Sequence, residues 1–152
     1  MDRTTNGLLA GIIAGIAMNA WNLFDYYILH FTEIRFSDWF TALTTWDKPV
    51  NSIQVAIHLI FTIILWDGFL GIVFAHLINL INPKGLVYKA VFYSMLLWFF
   101  FKIIVNFYHV PVVSGAQPFP KAISNVLAII IWGVILGLLL KKFENSANSE
   151  EN

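Results

Sequence analysis

Asp67 and Lys102 are the residues of this 152-residue chain whose type and placement most invite chemistry. Each interrupts a long hydrophobic run, an acid in one and a base in the next, with His58, Asn106 and His109 within helical reach of them. An ionisable group in the middle of such a run is costly and normally faces a bundle interior or a water-filled cavity, which makes it a functional candidate by default. Between them an acid and a base could hold a small solute, an ion or a lipid headgroup, or relay protons together with the histidines. A buried Lys–Asp pair can equally be structural, each charge tolerated because of the other.

The elements that must carry these residues are membrane-spanning helices. The chain is 59% hydrophobic and 12% charged, with a mean hydropathy of +0.73, whereas soluble domains are about 45–50% apolar and about 25% charged. Nine basic residues balance nine acidic ones, which offers nothing to a nucleic acid. There is no cysteine, so disulfides, thiolate metal sites and cysteine nucleophiles are excluded. The six Trp, five Tyr and fourteen Phe suggest aromatic belts at two membrane surfaces.

The first span runs from Gly7 to Phe31, longer than a signal-peptide core and without a convincing cleavage site after it. Gly7, Gly11 and Gly15 recur every fourth residue, with Ala10 and Ala14 beside them, as a ridge that lets another helix approach closely. Asn19, Asn22, Asp25 and Tyr26 continue that face, so its second half turns polar toward the bundle. In the connection 32–52, Ser37 and Asp38 can cap a short helix carrying Trp39, Phe40, Leu43 and Trp46, ended by Asp47, Lys48 and Pro49. Such a segment either lies in the interfacial plane or docks its aromatics on the bundle.

The second span covers 53–81. His58 and His76 lie eighteen residues apart on one face, about 27 Å along the axis, with Asp67 midway on the opposite face. A helix with two faces to bury belongs at the centre of the bundle. Asn82, Pro83, Lys84 and Gly85 form a turn. The third span covers 86–109 and places Met95, Trp98, Lys102, Asn106 and His109 on one stripe. A Pro-rich loop with Pro111, Pro118 and Pro120 leads to the last span, 122–142, which carries Gly133 and Gly137 and ends at Lys141 and Lys142. Residues 1–142 then form one transmembrane domain, and 143–152 a disordered polar tail.

Four spans bring both termini to one side. Arg3, Lys84, Lys89, Lys141 and Lys142 lie on that side, against Arg35, Lys48 and Lys121 on the other, so the positive-inside rule makes both termini cytoplasmic in a cell-membrane protein. Threading the helices puts most polar groups in the outer half. Asp25 and Lys102 come out roughly 8–11 Å inward of their helix ends and Asp67 near the midplane. Because side chains lean toward a helix's N-terminus, Lys102 tilts toward Asp67 and can also meet Asp25. The expected site is an outward-facing polar pocket of Asp25, Asp67, Lys102, Asn22, Asn106, His58 and His109, with no cofactor.

The alternative is a b-type haem held between two imidazoles of a four-helix bundle, His58 with His109 or with His30, in a subunit of an electron-transfer complex. Hydrolytic motifs are absent from the sequence, which argues against an enzyme. Without an internal repeat, transport requires a homo-oligomer or a partner membrane protein. An accessory or assembly subunit whose partner supplies the activity is the remaining class. The opening Gly7-Leu-Leu-Ala-Gly11, the segment Tyr27-Ile-Leu-His-Phe-Thr-Glu33 and the ending from Asn125 through Ile131-Trp-Gly133-Val-Ile-Leu-Gly137 resemble the uncharacterised YqhR-type family of small four-helix membrane proteins from spore-forming bacteria. That resemblance implies a membrane protein with no catalytic residue to carry over, and favours an accessory role. The expected fold is all-α, a four-helix transmembrane bundle with a short interfacial helix in its first outer loop.

Overall fold

Glycine and alanine decide which helices of this chain touch. The computed structural model describes residues 2–45, 51–80, 84–110 and 113–150. Trp46, Asp47, Lys48 and Pro49, together with Asn82, Pro83 and Pro111, lie outside the described residues, and with them the expected end of the short helix and part of two expected turns. Helix α1 spans Arg3–Phe24, capped by Asp2, whose carboxylate accepts the Thr5 N–H at 3.0 Å. It continues into a π-helical turn, Asp25–Leu29, that ends at His30 in the left-handed region (φ 55°). Helix α2 spans Phe36–Thr45. Helix α3, Ser52–Phe61, opens with a reciprocal cap between Asn51 and Gln54 and passes through a second π turn, Thr62–Asp67, into α4, Gly68–Leu80. Helices α5, Leu86–Phe107, and α6, Phe119–Glu150, complete the chain. The described residues contain no strand, and four stretches, Arg3–Leu29, Ser52–Ile78, Leu86–Phe107 and Phe119–Asn145, are long and apolar enough to cross a membrane. The all-helical class therefore stands as expected.

The helices are arranged in the order α4, α1, α6, α5, and α4 hardly meets α5. Both small-residue ridges pack as the sequence suggested. A Cβ at Gly7 would come within 2.9 Å of Ile72 Cα, and one at Gly11 within 3.0 Å of Gly71 Cα. On the other side of the bundle, Cβ atoms at Gly133 and Gly137 would each approach a Cα of α5, Val91 and Val87, to 2.7 Å. The glycine-bearing first and last spans are thereby the central ones, each 44% buried, against 28% for the second and 17% for the third. This corrects the central position expected for the second span. The π turn Thr62–Asp67, with its wider i→i+5 winding, shifts the helical phase ahead of Asp67, and small residues let that acid close directly on α1.

Two further expectations change. The third span buries Leu86, Ala90, Ser94 and Val105 rather than the stripe from Met95 to His109, because the small side chains of Ala90 and Ser94 admit α6. Met95, Asn106 and His109 are exposed. Helix α6 does not end at Lys142 but continues to Glu150, and Glu144 pairs with Arg3 at 3.9 Å, joining it to the start of α1.

The short helix α2 forms where Ser37 and Asp38 announced it. Asp38 reaches back to the Arg35 N–H at 2.9 Å and takes the Arg35 guanidinium at 3.0 Å. Burial lowers the Arg35 pKa, but Asp38 outweighs it and leaves the guanidinium above its ordinary value. Helix α2 docks by its aromatics: Trp39, 5% exposed, lies 5.2 Å from Trp98 and 5.4 Å from Phe101 between ring centres.

Candidate binding groove

Because α4 and α5 hardly meet, a groove of about 380 Å³ opens between the second and third spans. Tyr93, outside the lining, stacks on Phe74 at 4.9 Å, lies 6.3 Å from the lining residue Trp132, and donates its hydroxyl to the carbonyl of the lining residue Leu70 at 3.3 Å. Phe36, Trp39, Phe40, Leu43 and Thr44 of the α2 segment cover one end. Met18 of α1 with Ile129 and Trp132 of α6 form the back wall. Trp66 on one side, with Phe100 and Ile104 on the other, stand about half exposed at the open edge. Ligand sites typically have volumes of roughly 300–1,000 Å³, with apolar walls and a few placed polar groups, and this groove fits that description.

Its polar side chains are few. Thr44 and Thr62 donate their hydroxyls to carbonyls one turn back, Phe40 at 2.8 Å and His58 at 2.7 Å, and Ser94 donates to Val91 at 2.8 Å. Asp67 and Trp132 differ from these. The Asp67 carboxyl group lies against Gly15, and its Oδ2 has no hydrogen-bonding partner. The indole Nε1 of Trp132 is likewise enclosed and unpaired. Asp67 is 2% exposed and Trp132 3%. Asp67, Ser94 and Trp132 stand fifteen, thirteen and thirteen residues from the ends of their helical stretches at Ser52, Phe107 and Phe119.

The other expected site residues are dispersed. Asp25 is fully buried, accepts a hydrogen bond from the Ser124 hydroxyl, and takes the Phe31 N–H at 3.2 Å. Asn22 uses its side-chain oxygen to accept the Phe36 N–H at 2.8 Å, at the start of α2. The expected charge network of Lys102 with an acid does not form. Lys102 Nζ donates to the Val113 carbonyl at 3.2 Å and stands 5.3 Å over the Trp39 ring, because its stem follows the side of α2 rather than the interior. Asn106 accepts the Gly115 N–H at 2.9 Å. His58 packs on Phe40 and shares a 2.5 Å hydrogen bond with Thr41, holding α2 to the second span.

His30 and His109 both have positive φ, 55° and 52°, and each ring bonds a nearby carbonyl, Tyr26 at 3.2 Å and Phe107 at 3.0 Å. They terminate helices, a role histidine fills more readily than most side chains. With all three imidazoles engaged locally, the haem alternative gains no geometric argument. Among the described residues, no group of three or more His, Asp or Glu could hold a metal ion.

The groove therefore gathers Asp67 from the expected set, with Lys102 and His58 against its α2 wall, and leaves Asp25, Asn22, Asn106 and His109 elsewhere. The residues missed were Trp66 and Trp132. Both fall in the middle of their spans, where a tryptophan of an interfacial belt would not be, and that depth was the available signal. No family model, curated protein or solved structure matches the chain, so the groove is read from its own geometry.

Proposed function

We propose that the chain is an integral protein of the cell membrane, with both termini cytoplasmic, that holds an apolar or amphiphilic molecule drawn sideways from the bilayer into the groove between its second and third spans. The lateral opening is the observation that carries this reading. Two spans that hardly meet, with aromatic side chains between them, leave a slot open on one side, which would face the lipid with the spans in a bilayer. Aromatic rings offer large apolar contact at little conformational cost. The basic residues at the end holding Arg3, Lys141 and Lys142 support the orientation. The role is one of binding or presentation, in keeping with a groove whose lining is mostly apolar and aromatic.

Native mass spectrometry of the detergent-released protein tests this. The expected result is a retained apolar adduct on the wild type that is lost in Leu97→Trp, which fills the groove from a half-buried lining position. A wild type without adduct, or an adduct indifferent to Leu97→Trp, overturns the reading.

A further inference from the structure

The groove has a definite length and a stopped inner end, and together these select among the molecules that the binding role proposed above allows. We propose that it holds one extended hydrocarbon chain of about ten to thirteen carbons, its head group at the α2 end and its terminus against the stacked rings of Phe74 and Tyr93. The lining runs from Thr62 to Leu70 on the second span and from Ile104 to Ser94 on the third, eight and ten residues, or about 12–15 Å at the helical rise. Inward of Leu70 and Ser94 the way is shut. Phe74, one turn beyond Leu70 and 4% exposed, stacks at 4.9 Å on Tyr93, the neighbour of Ser94, and the Tyr93 hydroxyl holds the Leu70 carbonyl at 3.3 Å. This pair bridges two spans that otherwise hardly meet. At the other end Leu43, Thr44 and Ile104 line the groove and are all exposed, so a polar head has a way out beside α2.

Width sets the number of chains. A volume of about 380 Å³ over that length leaves a bore of about 25–32 Å², roughly 5–6 Å across. Non-bonded carbons touch at about 3.5–4.0 Å, so one chain fits, whereas two abreast need about 7–8 Å and do not. Length then sets the carbon count. An extended backbone advances about 3.3–3.6 Å over three bonds, so about ten to thirteen carbons reach from the lip to Phe74. The walls are no more apolar than lipid, and preference among chains therefore comes from fit rather than from hydrophobicity. A shorter chain leaves the inner end unfilled and loses dispersion contacts there; a longer one must fold or push its head away from the lip.

The test offers the full-length protein, in a steroid-based detergent that has no straight chain to compete, an equimolar series of saturated 1-monoacylglycerols from about eight to eighteen acyl carbons. Native mass spectrometry reads which of them stay bound. The wild type should carry mostly chains of about ten to thirteen carbons, with the longest adduct about tenfold weaker, a fraction of the burial free energy of its surplus methylenes. Phe74→Ala removes the stop and should move the preferred length up by about four carbons, the depth of one ring at the same advance per bond. Leu70→Trp thickens the stop from the groove side and should move it down by about two to four carbons, which keeps the test open if Phe74→Ala does not fold. A flat length profile on the wild type, or a profile that neither substitution shifts, overturns the length inference while the groove reading stands on adducts still lost in Leu97→Trp. No adduct across the series, or adducts indifferent to Leu97→Trp, overturns both.

Discussion

Asp25 and Asp67 are both aspartates buried inside helices, 0% and 2% exposed, and each lies at a π turn, Asp25 opening one and Asp67 closing the other. Their surroundings are opposite. Around Asp25 the Ser124 hydroxyl and the Phe31 N–H both point at the carboxylate, and Ser124 in turn accepts the Trp21 indole N–H at 3.2 Å. Around Asp67 there are a glycine, aromatic walls and an unpaired oxygen. Burial alone therefore says little about what an acid is for. A carboxylate supplied with its donors joins elements, here the first span, its following loop and α6. Asp67 Oδ2 has no such donor, although a π turn carries both acids alike.

The comparison breaks most sharply at Asp25. Asp25→Ala strands the Ser124 hydroxyl and the Phe31 N–H, so about 3 kcal/mol of stability should disappear, at roughly 1–3 kcal/mol for each buried unpaired group. Denaturation by sodium dodecyl sulfate, with helix content as the readout, measures it; a loss below about 1 kcal/mol would mean that the network joins nothing.

Gly15→Ala probes the other acid from behind. The new Cβ runs into the Asp67 carboxyl group, an overpacking expected to cost about 2 kcal/mol. In an Asp67→Ala background most of that cost should vanish, because the obstacle is the carboxyl itself. Gly11→Ala, which meets the Asp67 backbone carbonyl, should stay destabilising in both backgrounds. Equal penalties for Gly15→Ala with and without the carboxyl would show that Asp67 does not lie against α1.

Much of the fold was legible because it rests on local patterns. The four apolar stretches, the glycine ridges and the start of the short helix at Ser37-Asp38 are all written in consecutive residues. What misled was the count of 100° per residue carried through Thr62–Asp67, where the helix widens. Asp67 was found by its cost in an apolar run, but its partner was misjudged, since a lysine stem can turn to Val113 and Trp39 as easily as inward. His30 and His109 drew attention as ligands, whereas backbone geometry explains both. Trp66 and Trp132 were counted among belt residues because composition was weighed before depth.

Asp67→Ala by itself should raise stability by about 1 kcal/mol, since it removes a buried unpaired carboxyl at the expense of a small cavity. Asp25→Ala and Asp67→Ala would then move the same denaturation curve in opposite directions, and a shared direction would erase the distinction between the two acids.

Lys102→Met gives the smallest expected effect and the finest discrimination. Were Lys102 the partner of Asp67 or Asp25, removing it would leave a buried charge uncompensated and cost about 3–5 kcal/mol. The ammonium instead holds one carbonyl and one ring face, and methionine keeps most of the apolar stem, so the loss should be about 0.5–1 kcal/mol. Combining Lys102→Met with Asp67→Ala settles the matter by additivity: independent sites add, whereas partners couple. Additive effects leave Asp67 without a protein cation, and a coupling above about 1 kcal/mol would restore the ion pair.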